Sequence, residues 1–301
     1  MASNRATTAT RPAAVLRDYM ELTKPRITSM VVLTTLAGFY LAAYHAMDVG
    51  LFLYTMLGTA MVVASGNMLN QVMERDVDAL MRRTRNRPLP AGRMEPAEAV
   101  VSSVVMVVIG LLYLAITVNP LTALLTFIGW ANYVFLYTPL KRRTSVATLV
   151  GAISGALPPL IGWAAVRNSI SPEALALPLI LFLWQLPHFL AIAWMYQEDY
   201  GRAGFPMLPV LDPGGTRAGQ QIVAYGLALV PASLLPTLFG ITGKVYFLGA
   251  LVFSLIFLGY GVRTAVRKSR ICAKHLFFVS LLYLTALVVL MVLDKRIPAL
   301  L

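Results

Sequence analysis

Cysteine is almost missing from this chain. A single residue, Cys272, among 301 excludes a disulfide framework and any cysteine-rich metal site, and points to packing more than chemistry. Histidine is nearly as scarce: His45, His188 and His275 lie far apart and show no zinc spacing. Charged residues make up only 13% of the sequence, where soluble chains average about 25%. With 58% hydrophobic residues and a mean hydropathy of +0.73, that scarcity excludes an ordinary soluble domain. It excludes disorder too, which needs low hydrophobicity.

What is present comes in long apolar blocks. A bilayer-spanning helix needs roughly 20 mostly apolar residues. Nine such blocks are predicted, at 28–46, 51–72, 98–117, 121–139, 146–166, 174–196, 221–241, 245–265 and 275–293. Pro158, Pro159, Pro187, Pro231 and Pro236 fall inside them, and neighbouring membrane helices can re-satisfy the backbone groups that proline frees. The expected fold is therefore all-α and polytopic. It comprises one transmembrane domain over 28–293, an N-terminal tail and interfacial stretch over 1–27, and a short tail over 294–301.

The bases set the expected orientation. Of 25 Lys and Arg residues, only Arg167, Lys244, Lys295 and Arg296 fall on one side of the nine blocks. The positive-inside rule places the others, and the N-terminus, in the cytoplasm and the C-terminus outside. Basic loops facing an anionic leaflet account for most of the +12 net charge without a nucleic-acid partner. The first 27 residues hold Arg5, Arg11, Arg17, Lys24 and Arg26 and no separate short apolar region. A cleaved secretory signal is therefore not expected, and the segment is predicted to be a disordered cytoplasmic tail leading into an interfacial stretch.

The 13 acids are oddly distributed. Glu74, Asp76, Asp78, Glu95 and Glu98 follow the second block, and Glu198, Asp199 and Asp212 follow the sixth, both on the face that should favour bases. Asn70, Glu74 and Asp78 stand at i, i+4 and i+8, which on a helix is a nearly straight stripe. Asp76 points to the opposite side. Two carboxylates one turn apart repel unless a cation sits between them. Oxygen-only ligands on a partly open stripe suit Mg²⁺, which shares itself with substrate phosphates. Arg82, Arg83, Arg85 and Arg87 follow at once. Acids for the metal beside bases for phosphate read as a diphosphate site, although lipid contact and orientation duty are equally open to the arginines and solvated loop charge to the acids. His188 follows Pro187 at membrane depth, where polar residues mark function. Ligation and a helix–helix hydrogen bond both remain open for it. His45 and His275 are expected at the interfaces.

The stripe followed by Arg85-Asn-Arg87-Pro88 resembles the first acidic motif of the UbiA superfamily of intramembrane prenyltransferases, and within it the haem-farnesylating branch. Supporting stretches are Leu22-Thr-Lys24-Pro25-Arg26, Tyr137-Thr-Pro139-Leu-Lys141-Arg142, Gly155-Ala-Leu-Pro158-Pro159, Trp184-Gln-Leu-Pro187-His188-Phe189 and Glu198-Asp199-Tyr200-Gly-Arg202. The resemblance implies transfer of farnesyl from farnesyl diphosphate to a vinyl group of haem b, with water addition, to give haem O. It implies catalysis by Asn70, Glu74, Asp78 and Asp199, with Glu198 joining them around Mg²⁺. Lys141 would contact the diphosphate, helped by Arg82, Arg83 and Arg87, and His188 would face haem b. Expected surroundings are the bilayer of a bacterial inner membrane and an enzyme that converts haem O to haem A.

Two departures stand out. The usual second motif has two acids four apart, whereas Met195 and Ala203 flank Asp199 at that spacing, so Glu198 and Asp199 must serve alone. Glu74 stands where Asp is commoner. Transfer of a longer isoprenoid to an aromatic acid such as 4-hydroxybenzoate is the nearest alternative, and Pro187-His188-Phe189 favours haem over it. A cation-coupled transporter would place its acids deep in the spans, not at one mouth beside arginines.

Overall fold

The computed structural model describes residues 12–44 and 46–296. Residues 1–11 of the predicted tail, His45, and 297–301 lie outside them. An amphipathic helix, α1 (Pro12–Leu22), precedes the first span. Among the described residues nine helices are long and apolar enough to cross a membrane: α2 (Pro25–Ala42), α3 (Val49–Leu80), α4 (Pro96–Thr117), α5 (Pro120–Leu140), α6 (Ala147–Arg167), α7 (Pro172–Met195), α10 (Thr216–Leu238), α11 (Lys244–Arg267) and α12 (Arg270–Leu293). Two short helices, α8 (Gln197–Arg202) and α9 (Leu208–Leu211), fill the long connection after α7.

Local chemistry sets the ends. Pro25, Pro96 and Pro120 occupy first-turn positions, where a missing N–H costs nothing. Asp48, Asn119 and Ser269 accept from the N–H groups of Leu51, Thr122 and Cys272, relieving orphan donors of α3, α5 and α12. Pro158 divides α6 into Ala147–Ala156 and Pro158–Arg167.

Each span packs on the next in chain order, and α12 returns to α2, so the nine form a closed ring. The tightest crossing joins α2 to α6. A Cβ on Gly38 would collide with the Pro159 backbone, and one on Gly162 with the Thr35 carbonyl, so only glycine permits the approach. On the face opposite the acid stripe, the Lys295 ammonium donates to the carbonyls of Tyr40 and Ala43 at the end of α2. Asp294 accepts from Tyr246 N–H in the first turn of α11, and Arg296 N–H donates to Ile241.

The nine predicted blocks correspond one to one with the nine helices. The largest boundary shift is in α3, which runs to Leu80 instead of stopping at 72. Hydropathy fades at the first charges, but the helix continues because its polar side chains find partners inside the protein.

Candidate active site

The extension of α3 buries the stripe. Asn70, Glu74 and Asp78 are only 2%, 2% and 1% exposed, while Asp76 points away, exposed and paired with Arg75 at 3.3 Å. Buried acids must be matched by charge, and each member of the stripe has one basic partner. Lys24 Nζ donates to Asn70 Oδ1 at 2.7 Å. Lys141 Nζ donates to both oxygens of Glu74, at 3.0 and 3.1 Å. Arg87 Nη1 donates to Asp78 Oδ2 at 2.6 Å.

Three separate pieces of chain deliver these cations. Lys24 lies between α1 and α2 with φ 48°, a left-handed conformation that costs a non-glycine residue about 1 kcal/mol or more. Gln71 Nε2 donating to the Leu22 carbonyl at 2.8 Å and Asn67 Nδ2 donating to the Thr23 carbonyl at 3.2 Å hold this junction against α3. Burial, then repulsion from Arg87, pulls the Lys24 ammonium well below the ordinary lysine range, with Glu74 opposing. Lys141 follows α5, whose last turns widen into a π-helical segment over Asn132–Tyr137, a feature often found at functional sites. Tyr133 and Tyr137 stack there with centroids 5.5 Å apart. Thr138 Oγ1 donates to the Tyr133 carbonyl and accepts from Asn70 Nδ2. Burial alone would lower the Lys141 pKa, but the Glu74 carboxylate, then Tyr137 and Tyr200, raise it above the usual value. Its ammonium also lies 4.7 Å from the Phe205 ring centre.

The predicted arginines separate. Arg87 turns inward to Asp78. Arg83 rests over the rings of Tyr196 and Tyr200 at 5.5 and 5.8 Å, linking the first acidic segment to the second. Arg82 is exposed. In the second segment Asp199 is ion-paired with Arg202 on α8, and Glu198 is exposed. His188 on α7 is buried between the Trp184 and Phe277 rings, at 4.9 and 5.0 Å, and its Nδ1 is 2.7 Å from Ser280 Oγ of α12. Its recorded partners all belong to the α7–α12 seam. His275 is exposed and Cys272 is buried.

The donor set suits a hard dication. Asp78 Oδ1 and Gln71 Oε1 are buried with no hydrogen-bond partner, and such orphaned acceptors demand one. Amide and carboxylate oxygens are Mg²⁺ ligands. Among the described residues no three His, Cys, Asp or Glu side chains cluster as a ready metal cage. Ligation by Asn70, Glu74 and Asp78 would therefore require their basic partners to move aside.

A model of the UbiA prenyltransferase family matches residues 31–287. The chain belongs to the UbiA prenyltransferase family. Relatives named protoheme IX farnesyltransferase include one from Solibacter usitatus, 44% identical over 289 residues covering 93% of this chain and 99% of its own. Another, from Myxococcus xanthus, is 45% identical over 94% of this chain and 96% of its own. Among solved structures, one of digeranylgeranylglyceryl phosphate synthase superposes with a TM-score of 0.77 at 17% identity, covering 93% of this chain and 98% of that one. A UbiA homolog from Archaeoglobus fulgidus bound to DMAPP and Mg2+ gives 0.64 at 17% identity over 91% and 99%. These two likenesses establish the shared fold.

Sequence reasoning assigned no role to Lys24, Gln71, Tyr133, Tyr137, Thr138 or Phe205. Two of its motifs, Leu22-Thr-Lys24-Pro25-Arg26 and Tyr137-Thr-Pro139-Leu-Lys141, contain three of them, but nothing in a linear string says that both meet α3.

Proposed function

We propose that this chain transfers the farnesyl group of farnesyl diphosphate to a vinyl group of haem b, with addition of water, to give haem O and diphosphate. The observation that carries the chemistry is the buried stripe of Asn70, Glu74 and Asp78 with one basic side chain on each member. The relatives' identity over nearly the whole chain supports the choice of donor and acceptor.

The allylic C–O bond breaks and its electron pair leaves with the diphosphate. The terminal vinyl carbon bonds to farnesyl C1, and the resulting cation beside the porphyrin takes water and releases a proton. Mg²⁺ held by Asn70, Glu74 and Asp78, with Asp199 from the second segment, would supply Lewis-acid stabilisation of the leaving group. Lys24, Lys141 and Arg87 lie where they can exchange a stripe oxygen for a phosphate oxygen, because each donor is already held at hydrogen-bond distance within the site. The rings of Tyr133, Tyr137 and Phe205 wall the same space and would shield an allylic cation from water. His188 is assigned to the haem side of the reaction, through the Nε2 that its bond to Ser280 leaves available.

The membrane is read as a bacterial cytoplasmic membrane, with the N-terminus and acid stripe on the cytoplasmic side. Contact with the enzyme that consumes haem O belongs to the same reading. The decisive test is purified protein in detergent with haem b, farnesyl diphosphate and Mg²⁺, with the product identified by mass. Haem b returned unmodified, together with prenylation of an aromatic acid, would overturn the acceptor assignment.

A further inference from the structure

Six bases on the stripe's face have acidic or polar partners. Lys24, Lys141 and Arg87 serve the stripe, Arg202 pairs with Asp199, Arg75 with Asp76, and Arg93 with both Asp18 and Glu21. Arg142 and Arg143, like Arg82 and Arg85, are unpaired among the described residues, but they alone of these four line a cavity. Both are exposed, and neither guanidinium has an ion pair or hydrogen bond among the described residues. They line a cavity of about 310 Å³ together with Met73, Thr138 and Pro139.

The turn after α5 explains why these neighbours of Lys141 face elsewhere. Arg142 N–H donates to Pro139 and Arg143 N–H to Leu140, tight i to i−3 bonds that rotate successive side chains by about 100–120° each. Lys141 takes the inward direction to Glu74, which leaves the two arginines around the adjoining cavity. The partition is thin. Thr138 lines the cavity and also accepts the hydrogen bond from Asn70.

We infer that Arg142 and Arg143 bind the paired carboxylates of the acceptor porphyrin, a subsite that rests on the haem reading above. Haem b carries two propionates on the edge opposite its vinyl groups. An ionised carboxylate is costly to bury in hydrocarbon, so the propionate edge must stay at the water-facing end while a vinyl reaches the allylic carbon. The two unpaired guanidinium groups that line this cavity match that dianionic edge in number and sign. Met73 and Pro139 offer apolar surface to the adjoining pyrroles. The cavity is at the small end for a whole ligand, so it takes the carboxylate edge and not the macrocycle.

The test compares haem b with its dimethyl ester on the wild type and on the Arg142→Gln/Arg143→Gln double variant, in neutral-lipid nanodiscs with Mg²⁺. The wild-type KM should rise roughly tenfold on esterification, the order expected for two partly exposed charge pairs. The double variant should show that higher KM with both acceptors and an unchanged KM for farnesyl diphosphate. Arg142→Lys/Arg143→Lys should recover part of the preference. A double variant that still prefers the free acid overturns the inference, as does an equal rise in the farnesyl diphosphate KM. An effect that appears only when anionic lipid is added, and ignores esterification, assigns the arginines to lipid phosphate and also overturns it. A wild type that turns over neither acceptor removes the haem reading and this subsite with it. Normal wild-type turnover with an indifferent double variant removes the subsite alone.

Discussion

Arg87 Nη1 donates to Asp78 Oδ2 at 2.6 Å, while Oδ1 of the same carboxylate is buried without a partner. The carboxylate is half satisfied. Under the proposed function its free oxygen is a metal ligand, and the occupied one lies against the base that would next meet phosphate. Asp78→Asn should lower turnover by about 10²-fold or more, with the protein still inserted and monodisperse. Arg87 is 23% exposed in its side chain and can turn toward water. Turnover by product mass and size-exclusion profiles check both halves of this expectation.

The Glu74–Lys141 pair should behave as a buried ion pair. Removing one partner of such a pair costs about 3–5 kcal/mol, whereas removing both is often neutral. Lys141→Met should therefore lower thermal stability markedly, and Glu74→Gln/Lys141→Met should recover most of it while remaining inactive. A double variant as unstable as the single one would show that Lys141 supports the fold by packing on Phe205 instead.

Chelator should stop turnover and leave the melting temperature nearly unchanged, because Lys24, Lys141 and Arg87 already compensate the stripe. Adding Mg²⁺ together with a non-reactive prenyl diphosphate should raise it by mass action. Mg²⁺ alone should do much less. Full turnover in metal-free membranes would contradict the assignment of Asn70, Glu74 and Asp78 as ligands.

His188→Ala should change the absorption spectrum of bound haem and raise the haem b KM, with farnesyl diphosphate binding largely spared. Ser280→Ala removes the Nδ1 partner and should perturb the spectrum less. A variant with an unaltered spectrum and a lowered melting temperature would make His188 a strut between α7 and α12.

A reporter fused after Leu301 should be active only in its external form, given the side on which Arg167, Lys244, Lys295 and Arg296 are gathered. Activity restricted to the cytoplasmic form would reverse the topology.

The apolar architecture was legible because it depends on composition within single windows. The nine spans and the straight run of Asn70, Glu74 and Asp78 need only local periodicity. The end of α3 was not, since Glu74 and Asp78 stop a hydropathy window while long-range partners keep the helix going. Those partners lie 46 and 67 residues away for Lys24 and Lys141, and no local pattern encodes such pairing. Arg82 and Arg87 look alike in the string. Only the path of the turn after Leu80, with Thr84 Oγ1 donating to the Asp78 carbonyl, sends one into the site and leaves the other in water. The π-helical widening before Thr138 was equally hidden, because no proline or glycine falls within Asn132–Tyr137 and Pro139 just beyond it reads as an ordinary helix end.

The Lys295 clasp bears on the order in which the molecule is built. The carbonyls of Tyr40 and Ala43 close the first span, yet the ammonium that satisfies them lies beyond the ninth. The Tyr40 carbonyl also accepts from the Ala43 N–H, but while the chain is being synthesised the Ala43 carbonyl lacks its lysine partner until α12 has crossed the bilayer. Ring closure is thus a late event in biogenesis. Lys295→Ala should leave insertion of individual helices intact and slow the final locking of α12 against α2, seen as prolonged protease sensitivity at the junction after Ala42 in newly made protein.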